Sequence, residues 1–372
     1  MRRLSDTITR LSTLRGRPMA MTPGAESARL NTLRDFGSNP GALGALYHVP
    51  EGLPDGAALV VVLHGCTQNA AGYDRGSGWS HLADEQGFAV LLPEQQRANN
   101  MNLCFNWYND HDTQRGGGEA LSIRQMVAAM IAEHRLDPAR VYVTGLSAGG
   151  AMTSVMLATY PDVFAGGAII AGLPYGTATS IPEAFDRMRA HGGPAAAALG
   201  GLVSAASGYE GPWPTISVWH GGGDSTVYPA NADLVIEQWR TLHRAAVKPA
   251  LEDKVDGHAH RVWRNAEGRN VIEEYRLAGL GHGTPLSTSG DEACGVAGPY
   301  MLEAGISSTR RIASFWGLVS EPATRPVRAA QAASQPKVIG RPDTNARAER
   351  QPEPAGVGRV IEDALRAAGL MR

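Results

Sequence analysis

The stretch Val141-Tyr-Val-Thr-Gly-Leu-Ser147-Ala-Gly-Gly150 decides how the rest of the chain is read. Its β-branched start predicts a buried strand, and the apolar positions Ala151, Met152, Val155, Met156 and Leu157 predict a helix after it. Between them Gly145-Leu-Ser147-Ala-Gly149 has the G-x-S-x-G form of a nucleophile elbow, in which one serine stands at the apex of a tight strand-to-helix turn. So sharp a turn leaves no room for side chains two positions to either side, which accounts for both glycines. The hydroxyl then stands at a helix N-terminus, where backbone N–H groups and the helix dipole favour developing negative charge. An ordinary glycine-rich turn is the plainer alternative; the strand before and the helix after favour the elbow.

Working outward, a chain of 372 residues with 43% hydrophobic content can bury a large core. A formal net charge of -2 and the lack of a dense basic stripe give no reason to expect nucleic acid or an anionic membrane as partner. The cysteines are Cys66, Cys104 and Cys294, an odd number too small for a disulfide framework, so at least one thiol is free or paired between chains. The N-terminus, Met1-Arg-Arg-Leu-Ser-Asp, shows no apolar signal-peptide run, and no stretch is long enough to cross a bilayer. A twin-arginine signal at Arg2-Arg3 would also need a hydrophobic region, so the sequence by itself points to a cytoplasmic protein.

Residues 1–40 read as an N-terminal extension, with a short amphipathic helix suggested by Leu4, Ile8, Leu11 and Leu14. Residues 41–319 read as one α/β domain. Strands are expected at 45–49, 58–63, 88–92, 141–146, 168–171 and 215–220, with helices over 80–87, 119–135 and 230–243 and a hairpin of 261–264 with 271–275. The continuous apolar run 58–63 is typical of parallel strands covered on both faces. It leads into His64-Gly-Cys66, where a glycine loop after a central strand is suited to supplying a backbone N–H to an oxyanion. His64 is read as propping that loop by a hydrogen bond. The long loop through Asn99, Asn100, Asn102 and Asn106 carries exposed-looking aromatics, and Trp107 is a candidate wall of a substrate cleft or a cover for a neighbouring helix. The alanine- and glycine-rich segment 174–214 is expected to lie over the site as a lid. A last core helix spans 306–318; then comes a Pro/Ala-rich linker, 320–356, and a short C-terminal helix within 357–372 marked by Val360, Ile361, Leu365 and Ala368.

A serine hydroxyl needs a general base within hydrogen-bond reach, itself held in one tautomer by an acid. The order Ser147, Asp224, His282 is the order of α/β-hydrolases, with Asp224 in a turn after a late strand and His282 in a glycine-flanked loop after the last one. Asp253 and Asp256 are rival acids, and His258 and His260 rival bases, set in a polar run at the hairpin without glycine flanks. In this scheme Ser147 attacks an ester carbonyl, and the backbone N–H groups of Ala148 and Cys66 hold the oxyanion. No cofactor or metal is called for.

Leu63-His-Gly-Cys-Thr-Gln68, Leu92-Pro-Glu94, Arg115-Gly-Gly-Gly-Glu119 and Thr144-Gly-Leu-Ser-Ala-Gly-Gly-Ala-Met-Thr153, continued by Tyr160-Pro-Asp-Val-Phe-Ala165 and Ala171-Gly-Leu-Pro-Tyr-Gly176, resemble the esterase family of poly(3-hydroxybutyrate) depolymerases over about residues 40–318. The resemblance implies an α/β-hydrolase fold with a mostly parallel sheet flanked by helices. It also implies carboxylic ester hydrolysis by Ser147, His282 and Asp224, an oxyanion role for Cys66, and an ester or insoluble polyester as partner. The family includes feruloyl and acetylxylan esterases, so the substrate stays open, as does a non-catalytic polymer- or granule-binding protein that kept the fold. Many members are secreted; in an exported protein a Cys66–Cys104 disulfide would be at home, whereas a reducing cytosol disfavours it.

Overall fold

The apolar run at 58–63 is buried along its length because it lies inside a 10-stranded sheet with packed layers on both faces. The structure, a computed structural model, describes residues 29–319. The helix expected through Leu4 and Leu14, the linker at 320–356 and the helix expected around Val360 lie outside them.

In chain order the sheet contains β1 (Asn31–Thr32), β2 (Gly44–His48), β3 (Leu59–Leu63), β4 (Ala89–Glu94), β5 (Val141–Leu146) and β6 (Gly166–Ile170). It continues with β7 (Thr215–Gly221), β8 (Leu251–Val255), β9 (His258–Arg264) and β10 (Asn270–Leu277). The spatial order is β1-β2-β4-β3-β5-β6-β7-β10-β9-β8. From β4 to β10 every neighbouring pair is parallel, and the outer pairs β1/β2, β2/β4, β10/β9 and β9/β8 are antiparallel. This is an α/β-hydrolase sheet.

The helices are α1 (Ala70–Ser77), α2 (Trp79–Gln86), α3 (Gly118–His134), α4 (Ala148–Thr159), α5 (Ile181–Met188), α6 (Leu199–Ser207), α7 (Ala230–Leu242) and α8 (Ser308–Phe315). Alternation along β3 separates two cores. Leu59, Val61 and Leu63 join residues of α3, α4 and α7, whereas Val60 and Val62 join residues of α1, α2 and α8. Both faces must therefore be apolar, which is why the run never alternates with polar residues.

Two departures from the sequence reading matter for the site. The polar run before the expected hairpin is itself a strand, β8, so the hairpin is a three-stranded antiparallel end to the sheet. Leu251-Glu-Asp-Lys-Val255 hides its strand character because it is an outer edge, where exposed charges guard the unpaired backbone. Beyond β10 the chain also forms a small parallel pair, β11 (Thr284–Leu286) with β12 (Met301–Glu303), where no strand is expected from sequence.

Candidate active site

Ser147 sits between β5 and α4 with φ 58 and ψ -118, a backbone conformation that L residues rarely occupy. Its N–H donates to the Ile170 carbonyl at 2.9 Å and its carbonyl accepts from Ala151 N–H at 2.8 Å, so the strained turn is tied to β6 and to the helix. The flanking glycines are required by contact. A Cβ on Gly145 would lie 2.4 Å from the Gly149 carbonyl oxygen, and one on Gly149 would lie 2.3 Å from the Leu63 oxygen. Ala148 opens α4, so its N–H belongs to the first turn, whose donors have no intrahelical acceptor.

The turns that follow β7 and β10 are pressed together. A Cβ on Gly221 would meet the Leu280 oxygen at 2.3 Å, and the N–H groups of Gly222 and Gly223 donate to the Leu277 and Leu280 carbonyls at 2.8 and 2.9 Å. This close approach brings Asp224 to His282, with Oδ2 2.7 Å from Nδ1. The other oxygen, Oδ1, accepts the N–H groups of Thr226 and Val227 at 2.8 and 2.9 Å. Burial alone would raise the Asp224 carboxyl, but its contacts with His220 and His282 outweigh that and hold it well below the usual carboxylate range. An ionised acceptor on Nδ1 leaves Nε2 as the basic nitrogen of His282. That atom is buried and has no hydrogen-bond partner among the described residues. Tyr300 stands edge-on to the ring, 6.2 Å between centroids.

His220 was not singled out by the sequence. It is buried, donates from Nε2 to the Val227 carbonyl at 2.8 Å, and lies 3.5 Å from Asp224 Oδ2. Its signal is positional: it occupies the end of β7, four residues before the acid, in a turn that doubles back.

The rival acid and base are paired with each other. Asp253 and His260 face across the β8/β9 ladder, Oδ1 to Nδ1 2.8 Å, beyond β10 at the far edge of the sheet. His258 donates from Nε2 to the Ala304 carbonyl at 2.8 Å, a contact with no link to the elbow.

The loop after β3 is braced from several directions. His64 is fully buried; Nδ1 donates to the Gly65 carbonyl at 2.8 Å and Nε2 accepts Gln95 N–H at 3.1 Å, the propping arrangement read from sequence. Burial pushes its imidazole down to about 4, so it stays neutral. Cys66 and Cys104 form a disulfide, and Thr67 N–H donates to the Asn102 carbonyl at 2.7 Å. Cys294 is the free, buried cysteine. Behind the disulfide lies Glu119, with no exposed surface, accepting from Gln95 Nε2 and from the backbone and side-chain N–H groups of Asn106 at 2.8 Å. Burial, reinforced by the charge of Asp112, pushes the Glu119 carboxyl up to about 8.

Trp107, open in the sequence between a cleft wall and a cover for a neighbouring helix, is 9% exposed, part of the core on the α3 and α4 side, and edge-on to Tyr108. The disulfide and the Glu119 bonds draw its loop inward. Among the described residues no group of three or more His, Cys, Asp or Glu side chains is arranged to hold a metal ion.

The family described as Esterase PHB depolymerase matches residues 43–251. Poly(3-hydroxyalkanoate) depolymerase C of Paucimonas lemoignei is 48% identical over 84% of this chain and 76% of its own length. Acetylxylan esterase A of Emericella nidulans is 32% identical over 73% of this chain and 88% of its own. An acetyl xylan esterase structure from Aspergillus awamori superposes with a TM-score of 0.65 at 24% identity, covering 78% of this chain and 99% of that one, a likeness of fold.

Proposed function

The chain belongs to the PHB depolymerase family of esterases, and from that premise we propose that it hydrolyses poly(3-hydroxybutyrate) or short hydroxyalkanoate esters by acyl transfer through Ser147, His282 and Asp224. The observation that carries the mechanism is the 2.7 Å contact of Asp224 with His282, in a chain that also holds Ser147 strained at a helix start.

Ser147 Oγ attacks the ester carbonyl as its proton passes to His282 Nε2; Nδ1–H remains on Asp224, which stabilises the imidazolium. The carbonyl oxygen becomes an oxyanion, and the N–H groups of Ala148 and Cys66 hold it. The imidazolium then protonates the departing alcohol oxygen as the C–O bond breaks, leaving an acyl-serine. Water attacks that acyl group with His282 again taking the proton, and collapse releases a carboxylic acid and restores Ser147. No step needs a cofactor.

Identity to a poly(3-hydroxyalkanoate) depolymerase over most of the chain favours the hydroxyalkanoate reading. The acetylxylan esterase match keeps acetylxylan, and with it feruloyl, esters as the second reading. A non-catalytic polymer- or granule-binding role is disfavoured by the ionised acid on His282. The segment 174–214 acts as the lid in this proposal. It leaves the sheet after β6 and packs back on the acid turn, Tyr228 N–H donating to the Met188 carbonyl at 2.8 Å. The Cys66–Cys104 disulfide suits an oxidising compartment better than the cytoplasm. Within the described residues no helix is long and apolar enough to cross a membrane.

A panel of hydroxybutyrate oligomers, amorphous polymer, p-nitrophenyl esters, acetylated xylan and methyl ferulate tests the substrate. Turnover of oligomers and polymer well above the plant-type esters is expected. The reverse order would replace the first reading with the second.

A further inference from the structure

Arg187, in the last turn of α5, is a charge in the 174–214 segment that the esterase chemistry does not use. Its Nε and Nη1 are both buried and have no hydrogen-bond partner among the described residues. Glu183, one turn back, is a charge neighbour of this half-buried guanidinium, but leaving two of its buried N–H groups without an acceptor is costly unless something compensates it. The local chain is nonetheless built around it. Gly192 and Gly193 both take left-handed φ, 65 and 88, and a Cβ on either would lie within 2.8 Å of Nη1. The turn is thus closed over the guanidinium by the two residues that can pass that close.

Next to Arg187 is a small cavity, about 10 Å³, walled by Pro174, Pro194, Leu199 and Leu234 with Thr177 and Asn231. No acidic side chain lines it. Glu183, one turn back on α5, has its Oε2 on the N–H and hydroxyl of Thr179, and Asp186 is exposed. The volume is that of a single water-sized guest. Apolar walls offer such a guest little, and the guanidinium offers donors to an anion.

We propose that this cavity binds a small monovalent anion, either a halide or one oxygen of a carboxylate, on Arg187. The segment after β6 and the start of α7, the helix that follows β7, supply its walls, so it lies on the same strand-end edge of the sheet as Ser147 and Asp224. The Met188 carbonyl, adjacent to Arg187, takes Tyr228 N–H at 2.8 Å and Asn231 Nδ2 at 3.1 Å. Anion binding therefore stabilises the segment that packs on the acid turn. Ester hydrolysis produces a carboxylate, so one class of guest is the reaction's own kind of product. The binding claim itself does not depend on which ester is cleaved, or on whether any is.

The test measures melting temperature of the full chain against sodium chloride, sodium acetate and sodium 3-hydroxybutyrate at constant ionic strength, in wild type and in Arg187→Met. A saturable rise in wild type, at least halved in the variant, is expected, since a ligand specific to the folded state raises stability with its concentration. Chloride acting alone would identify a halide site; the two carboxylates acting more strongly would identify the product-like guest. Should Arg187→Met fail to fold, bromide-soaked crystals of the wild-type protein decide the question by anomalous scattering beside Nε and Nη1. Equal responses in both proteins, or a water and no bromide in the cavity, would overturn the proposal.

Discussion

Replacing Asp224 with asparagine tests the proposed mechanism most sharply, because the two carboxylate oxygens have different partners. Oδ1 receives two backbone N–H groups, from Thr226 and Val227, and Oδ2 receives Nδ1 of His282 at 2.7 Å. Asparagine has one acceptor oxygen. Two fixed donors hold that oxygen at the Oδ1 position, so the amide NH₂ is placed against Nδ1. The imidazole must then accept through Nδ1, and its proton moves to Nε2, the atom that has to take the serine proton. A base in that tautomer, without the adjacent charge, loses about 10⁴ in kcat near neutral pH. At about 1.36 kcal/mol per tenfold this is roughly 5.4 kcal/mol of transition-state stabilisation. The backbone bonds of the turn survive, so melting should change little. Asp224→Ala is the control: it strands the Thr226 and Val227 donors, at about 1 to 3 kcal/mol for a buried group left unsatisfied, and should lower both activity and melting temperature. Steady-state hydrolysis of p-nitrophenyl butyrate, with thermal melts on the same samples, reads both. A folded Asp224→Asn protein keeping kcat within tenfold of wild type would refute the assignment of Asp224 as the acid behind His282.

Ser147→Ala should reduce turnover by up to about 10⁶-fold with an unchanged circular dichroism spectrum, and a burst of acylation in that variant would exclude Ser147 as nucleophile. Cys104→Ser, or reduction of the wild type, should weaken catalysis by up to about 10² to 10³ in kcat if the Cys66 N–H is an oxyanion donor held by the disulfide. The same change should lower stability by about 4 kcal/mol on the loop-entropy estimate for a sequence separation of 38, as read by urea unfolding. Glu119→Gln should flatten the pH dependence of stability. The folded carboxyl is pushed up to about 8, whereas the unfolded value is ordinary, so its contribution is complete below about 4.5 and is lost as pH rises through about 8. Melting curves from pH 5 to pH 9 should therefore fall more steeply in wild type than in the variant; parallel curves would show that Glu119 titrates elsewhere.

What could be read in advance was what the backbone enforces locally. Gly145 and Gly149 are legible because the carbonyls of Gly149 and Leu63 exclude a Cβ there, and a glycine at such a place is visible in the sequence itself. Asp224 and His282 were legible through chain order and their glycine-rich turns, which the structure shows to be the surfaces that let the two loops meet. The acid Glu119 was not. A glutamate in the first turn of a helix is favourable to the helix dipole and normally solvated, and nothing local says that Gln95 and Asn106 will enclose it. His220 was missed for a similar reason, since its contact with Val227 depends on a turn doubling back on its own strand. Trp107 was left between two readings because burial of a loop aromatic is set by what pulls the loop inward. Here that is a disulfide to the next strand-end loop and a buried carboxylate, neither apparent from the loop's own composition.

The reacting carbonyl looks the same in an acetyl, a feruloyl or a hydroxybutyryl ester, so the elbow, the base and the oxyanion donors cannot by themselves distinguish among them; discrimination has to come from contacts with the acyl and alcohol groups on either side. In an α/β sheet those contacts come from loops at the carboxyl ends of the parallel strands. Large apolar side chains stand exposed on such loops here: Met101 after β4, Ile181 after β6 and Tyr228 after β7, the first of them 82% exposed. The segment bearing Met101 is fixed by the disulfide and by Glu119, and the segments bearing Ile181 and Tyr228 are joined through the Met188 carbonyl. Apolar side chains held on braced segments lose little conformational entropy when they meet a polyester chain, whereas a carbohydrate offers hydroxyls for which these three side chains, the tyrosine hydroxyl aside, have no partner.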